Sequence, residues 1–325
     1  EYLIDAGTDP TRAMHLAQRL AAQGIEVRRA DEAIKVGTRT LPVGSLIVPL
    51  AQPAGRLVRN LLDASLVMDE AFLKEQSRRR DRGLGDQIYD VTAWNLAMVY
   101  DLDIVPNTTP VTTRSTLVPR EPVAAAAGAP LAASKVGYIM PWGLKAAEAA
   151  VELLQAGVKM TNVPRPFTIA GKAFPAGSAF IRIQGNVSDL LARLGDAVAK
   201  HGVEITPIDS AFVESGVSLG SNETAALTAP KVLLAWDSPT SSLSAGWARY
   251  ALEQRWKQPV TTVRTSSLGR IDMALYDVLV LPSGNYSFSE DQMRRLKDWL
   301  GRGGTLVTLG QASAWATSER AGLVP

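Results

Sequence analysis

The chain has 325 residues, 46% of them hydrophobic and 20% charged, with a formal net charge of +2 and no cysteine. That length supports two or three domains with sizeable cores, and so small a net charge argues against a dedicated nucleic-acid or acidic-surface binder. Disulfides, cysteine-zinc sites and thiol nucleophiles are excluded, and no apolar run approaches the roughly 18 residues of a membrane helix.

The chain opens at Glu1 on a strand-like Tyr2-Leu3-Ile4, with no initiator Met and no signal peptide to read. It is therefore expected to be a piece of a longer protein. Tyr2–Asp5 reads as a strand. Pro10–Gln23 reads as a helix with Met14, Leu16, Ala17 and Leu20 inward, stopped by Gly24. A second strand begins at Ile25 and Val27. Gly37–Leu50 reads as a β-hairpin, with Pro42-Val43-Gly44 at the turn and Leu46–Val48 as its apolar strand. Pro53–Met68 is expected to be helical and Lys74–Asp86 polar. Tyr89–Val105 is expected to be buried connecting structure around Trp94 and Tyr100. Asn107–Ser134, with many Thr, Pro and Ala, reads as a linker or long surface connection.

The opening pattern then returns. Lys135–Met140 reads as a strand, Gly143–Gln155 as a helix, Gly157 as its stop, and Val158 and Met160 begin the next strand. Ala170–Ile183 answers the first hairpin. One constant offset relates Gly24 to Gly157, Pro42 to Pro175, Gly44 to Gly177, Ser45 to Ser178 and Ile47 to Phe180. Glycines at a helix stop and a tight turn are positions where backbone geometry selects the residue. Two related α/β modules, residues 1–120 and 135–213, are expected. Val187–Lys200 is a helix and Val203–Ile208 a strand of the second. Glu214–Pro230 reads as another polar linker.

A third unit, residues 231–318, follows. Lys231–Trp236 reads as a strand, Asp237–Ser242 as a loop, Ser244–Trp256 as a helix and Pro259–Arg264 as a strand. Tyr276–Gly310 is the clearest strand–helix–strand unit of the chain. Asp277–Leu281 is a short apolar run that stops at Pro282, as a buried parallel strand would. Ser283-Gly284-Asn285 is a turn cluster, and Ser289-Glu290-Asp291-Gln292 reads as a capping box, with Phe288 and Met293 placed for a hydrophobic staple. Met293, Leu296, Trp299 and Leu300 give the helix one apolar face, Gly303 and Gly304 end it, and Thr305–Leu309 returns as a strand. The short tail from Ala312 reads as helical. Such units belong to an open parallel sheet, where ligands bind outside the carboxyl ends of the strands. Those ends carry Asp237, Ser238, Ser283, Gly284, Asn285, Gly310 and Gln311, the candidate ligand-binding crevice. Small residues beside helix N-termini are able to hold an anion; a solvated loop rim has the same composition.

Other constellations read more plainly. His201-Gly202-Val203-Glu204 has the H-x-x-E spacing of two zinc ligands, but Gly202 breaks the helix between them and no histidine follows. His201 is expected to be a helix-capping surface residue and His15 a satisfied helix residue, so neither metal nor cofactor is expected in this chain. Ser238, Ser241, Ser242 and Ser244 lack the histidine base that a serine nucleophile needs, and no G-x-S-x-G elbow is present. They read as a loop and N-cap, with Ser244 satisfying backbone donors. Arg78-Arg79-Arg80-Asp81-Arg82 has no interleaved aromatics for base stacking and reads as a solvated face, so no nucleic-acid partner is expected.

The segment from Tyr276 to Gly310 resembles the class I glutamine amidotransferase-like fold, a flavodoxin-like sheet. An active member carries a cysteine after the last of these strands and a histidine after a later one. Here Gly310 and Gln311 stand at the elbow, so the resemblance implies the fold and argues against glutaminase activity. A wider resemblance covers nearly the whole chain. Gly37–Leu62, Tyr89–Tyr100 and Leu243–Val260 with Leu268–Tyr286 look like the region after the catalytic domain in large bacterial zinc carboxypeptidase-like proteins of the carboxypeptidase A class. That resemblance implies a non-catalytic accessory region of an exported, periplasmic or secreted protein. The peptidase domain and its zinc would lie upstream, as the partner within the same protein, with the accessory region either positioning substrate or mediating contacts. The rival readings are a ligand-binding module for a peptide or cell-wall-derived substrate, or a stand-alone hydrolase or transferase working at the strand-end crevice.

Overall fold

The computed structural model describes all residues except 8, 65–67, 86, 88–94, 122–129, 320 and 324–325. It is mixed α/β, with antiparallel sheets in the earlier part of the chain and one parallel four-stranded sheet in the last. Contacts divide it into two units, Glu1–Ala129 with Gly143–Lys145, and Pro130–Trp142 with Ala146–Pro325.

The first unit holds β1 (Tyr2–Ile4), α1 (Pro10–Ala22), β2 (Arg28–Ala30), β3 (Ile34–Val36), β4 (Arg39–Leu41), β5 (Leu46–Val48), α2 (Gly55–Leu62), α3 (Glu70–Asp81), α4 (Leu96–Tyr100), β6 (Ile104–Pro106) and β7 (Ser115–Leu117). Pro10 opens α1, where its missing N–H costs nothing, and the Asp9 carboxylate accepts from the N–H groups of Thr11 and Arg12. The helix buries Ala13, Leu16, Ala17, Leu20 and Ala21 against Ile4, Leu46 and Val48 of the sheet. The sheet order is β6-β1-β5-β2-β7, with every pairing antiparallel.

Gly37–Leu50 is not one hairpin. β3 pairs with β4, Ile34 opposite Leu41, whereas β5 leaves and lies between β1 and β2. All three residues of β5 are buried. A strand apolar on both faces needs a central place in a covered sheet and would be exposed in a two-stranded ribbon. Helix α2 is shorter than Pro53–Met68, and residues 65–67 lie outside the described ones, as does Trp94. Part of the expected polar stretch forms α3. The expected linker at 107–134 supplies β7, which pairs with β2.

In the second unit, β8 (Gly137–Met140), α5 (Leu144–Gln155), β9 (Met160–Val163), β10 (Phe167–Ile169), β11 (Lys172–Phe174), β12 (Ser178–Arg182), α6 (Leu190–His201), β13 (Thr206–Ile208), β14 (Ser215–Gly216) and β15 (Ala225–Leu227) come first. The main sheet runs β13-β8-β12-β9-β15 and a smaller one β11-β10-β14. Ala170–Ile183 divides as its counterpart does, because β11 pairs with β10 while β12 joins β8 and β9. Gly24 and Gly157 stop their helices at φ of 81° and 82°, and Gly44 and Gly177 turn at 91° and 83°. Glu214–Pro230 is not a linker. Its β14 pairs with β10 and its β15 with β9, so short segments become edge strands once a sheet offers its free hydrogen bonds.

The chain ends with β16 (Val232–Trp236), α7 (Ser242–Arg249), β17 (Val260–Arg264), β18 (Val278–Leu281), α8 (Glu290–Gly301), β19 (Thr305–Thr308) and α9 (Gln311–Ala316). The sheet β17-β16-β18-β19 is parallel throughout. The capping box at α8 is complete, with Ser289 and Gln292 exchanging side chain-to-backbone bonds. Leu296 and Trp299 of α8 pack with Leu233, Leu279 and Leu281. The expected helix Ser244–Trp256 differs in two ways. It is capped by Ser241, not Ser244, and beyond Arg249 it continues as π-helix over Tyr250–Arg255. Among the described residues no helix is long and apolar enough to cross a membrane.

Candidate functional site

Because β16, β18 and β19 are parallel and in register, their carboxyl ends share one edge. That edge receives all seven candidate residues. Ser283 is its centre. Its carbonyl accepts the Ser241 N–H at 2.7 Å, its own N–H donates to the Ser244 hydroxyl at 2.9 Å, and its hydroxyl accepts the Gln311 N–H at 3.2 Å. Gly284 forms a β-bridge with Thr240, and a Cβ there would stand 2.6 Å from the Pro239 carbonyl oxygen. Asp237 takes a left-handed φ of 65°, accepts from the Ser238 N–H at 2.8 Å and lies 3.6 Å from the Arg264 guanidinium. An aspartate tolerates that conformation better than most side chains. Asp237, Ser238, Asn285 and Gln311 stay exposed.

Tyr286 belongs to the same edge and was not among the expected residues. Its hydroxyl donates to the Pro282 carbonyl at 2.8 Å and stands 3.0 Å from the Thr240 hydroxyl. Burial pushes its pKa up, and the Thr240 bond only partly opposes this. The sequence signal was an aromatic directly after a turn cluster. Ser283, Gly284, Tyr286 and Ser244 thus bond to one another or to Thr240, Ser241, Pro282 and Gln311 of the same loops. The edge is a clasp between loops, with Asp237, Ser238, Asn285 and Gln311 at its surface.

His201 is not a surface cap. Its side chain is 7% exposed, with Nε2 3.1 Å from one carboxylate oxygen of Glu152 and Nδ1 3.6 Å from Glu148. The helix does stop at Gly202, φ 66°, and the chain reverses there. Glu204 therefore turns away and pairs with Lys172. Burial would raise the Glu152 pKa, but the bonds from Lys200 and His201 outweigh it and hold the carboxyl below its usual range. Arg255, on the π-helical turn, stands 3.9 Å from Glu148. Among the described residues no group of three His, Cys, Asp or Glu is placed to hold a metal ion. His15 lies 5.7 Å from the Tyr100 ring. The basic run falls on the last turn of α3, where cations meet the negative helix end, and Arg78 pairs with Glu75 at 2.8 Å.

A cavity of about 580 Å³ opens at the other edge of the parallel sheet, beside Tyr276-Asp277 before β18 and Gly303-Gly304 before β19. Trp299 forms part of its wall, held by a 3.1 Å bond from its indole N–H to the Tyr276 carbonyl. No local spacing signals it, because its charged residues come from separate segments on either side of β18 and at the end of α8. No family model, curated protein sequence or solved structure matches this chain significantly.

Proposed function

We propose that this chain is a non-catalytic accessory region of an exported zinc carboxypeptidase-like protein, whose metallopeptidase domain lies upstream. One observation carries the non-catalytic part. Two of the serine hydroxyls at this edge, Ser283 and Ser244, each accept a backbone N–H. Among the described residues neither has a histidine or carboxylate as a hydrogen-bond partner, and a serine nucleophile needs such a base. The phrase-level resemblance supports the parent protein. It also supports a periplasmic or secreted location.

Within this reading the two antiparallel modules are copies of one fold. Their sheets share the order edge, first strand, fifth strand, second strand, edge, with the β3–β4 and β10–β11 hairpins at the same offset. The third part is a flavodoxin-like, amidotransferase-like sheet with an empty elbow. Sequencing the full open reading frame tests the assignment. An H-x-x-E motif with a later histidine upstream of Glu1 is the expected result, and a start codon adjoining Glu1 would sink the reading. A glutaminase assay on this chain is expected to stay at background.

A further inference from the structure

The cavity at the amino edge of the parallel sheet is rimmed by three arginines, Arg270, Arg295 and Arg302, and three aspartates, Asp272, Asp277 and Asp298. Opposite charges that line one cavity can pair, yet among the described residues no ion pair joins any of these arginines to any of these aspartates. Their contacts go elsewhere instead. Arg270 reaches the Ser267 hydroxyl at 3.4 Å and Arg302 the Asp298 carbonyl of its own helix end at 3.1 Å. Arg295 bonds the Gly269 carbonyl and pairs with Asp291, outside the cavity. Asp272 caps the Ala274 N–H and Asp277 accepts from the Lys231 N–H. Each sign of charge is left with unused donors or acceptors around one space.

That space is built on a rigid wall. Trp299 is 5% exposed, and a Cβ on Gly304 would stand 2.3 Å from its ring, so the missing side chain lets the indole fill the sheet edge. A mainly apolar notch, lined by Leu279, Phe288 and Leu296 with Gln292 at its side, adjoins the cavity and shares Leu268, Met273 and Arg295 with it. The notch has about 20 Å³ of free room, enough for a methyl-sized group.

A simple anion would meet the arginines but be repelled by the aspartates, and a simple cation the reverse. A molecule carrying both charges uses both sets. We propose that this cavity binds a small zwitterion with a branched apolar side chain, either a free amino acid or a dipeptide. The carboxylate faces the Arg270 and Arg302 guanidiniums, the ammonium the Asp277 and Asp298 carboxylates, and one methyl of the branched side chain reaches the notch. The site belongs to the chain itself and stands whether or not a peptidase domain lies upstream.

The test is a chemical-shift titration of the isotope-labelled chain with L-leucine and, separately, L-leucyl-L-leucine. 4-Methylpentanoate and isopentylamine serve as controls that lack the ammonium and the carboxylate. At least one zwitterion is expected to bind saturably, and the tighter of the two identifies the source. Each single-charge control should bind at least about tenfold more weakly, the ratio expected when one charge-assisted contact is lost. Arg270→Ala and Asp298→Asn should each weaken zwitterion binding by about fivefold or more. No saturable binding of either zwitterion up to about 10 mM, beyond the range of a specific small-molecule site, overturns the proposal. So does equal binding of the controls, or binding unchanged in both variants. The control series uses the unmodified chain, so it decides even if a variant fails to fold.

Discussion

The two edges of the parallel sheet solve the same problem in opposite ways. At the carboxyl edge the loops carry serines, threonine and glycine, and Ser283 alone bonds to Ser241, Ser244 and Gln311. At the amino edge they carry arginine and aspartate, and the charges surround open space. Short polar side chains bring backbones within bonding distance, and a missing Cβ at Gly284 brings them closer still. Long charged side chains keep their heads in water and hold the loops apart. The edge whose position predicts a site is closed by its own residues, and the edge with no such expectation holds the cavity. Position at the strand ends is therefore a weaker guide here than which polar atoms are left over.

Substitutions at the closed edge should cost folding stability, and those at the open edge should cost binding only. The largest effect is expected at Gly284. A methyl group there would press on the Pro239 carbonyl and on Thr240, which are backbone atoms unable to swing away. Gly284→Ala should lower stability by about 2 kcal/mol, as overpacking of a tight contact does. Urea unfolding measures it, and an unchanged midpoint would mean the loops are not clasped.

Tyr286→Phe comes next. It removes a buried hydrogen bond to the Pro282 carbonyl and should cost about 1 kcal/mol near neutral pH. It also carries a pH signature. Burial raises the folded-state pKa of Tyr286 above its ordinary 10.0. The stability it contributes is fully present below pH 10 and is lost as pH rises through the folded value. The substitution should therefore remove part of the alkaline decline. Another part remains, because burial and the Asp63 carboxylate push Tyr2 up to about 12. An alkaline limb identical in both proteins would take Tyr286 out of the clasp.

The parallel strands, the stop at Gly202 and the capping box at Ser289 were legible because each is fixed by neighbours in sequence. The partner of β5 was not. Its three apolar residues fit a hairpin or a sheet centre equally well until the whole sheet is present. Strands such as Ser215–Gly216 and Ala225–Leu227 have no alternation to read, since the sheet they complete supplies their reason to be extended. His201 looked exposed because helix ends usually are; Glu148 and Glu152, on another helix, bury it. For the site, the seven strand-end residues followed from topology, but their mutual bonding depends on loop approach that no spacing encodes. The cavity joins Arg270 to Asp298 and Arg302 across a strand and a helix, so nothing local announces it.

Ser244→Ala should cost about 1 kcal/mol, since it leaves the half-buried Ser283 N–H without its 2.9 Å acceptor. Replacing Ser241, the N-cap of α7, should have a similar effect by another route, loss of the cap rather than of the clasp. The two losses can be told apart with Ser283→Ala. Losing the Ser283 hydroxyl frees the Gln311 N–H but leaves the Ser244 bond in place, and because Ser283 also accepts the Ser241 N–H, urea unfolding of the double variant should show coupling with Ser241→Ala if that loss runs through the clasp.

The smallest stability effect, and the sharpest check on the contrast, belongs to Arg270→Ala and Asp298→Asn. Both residues are exposed, and neither pairs with a charged partner among the described residues. Exposed residues without a cap, a buried bond or a network change stability by less than about 0.5 kcal/mol. The Arg270 bond to Ser267, at 3.4 Å, is too long to add much. If these charges served the fold, removing one of either sign would unbalance the other and move the urea midpoint as Ser244→Ala does. If they are held for a ligand, the midpoint of the free chain stays put. Only the stabilisation produced by saturating zwitterion shrinks, because a ligand that binds the folded state raises its stability in proportion to occupancy. A midpoint shift as large as that of Ser244→Ala would make the amino edge a second structural device and erase the distinction between the two edges.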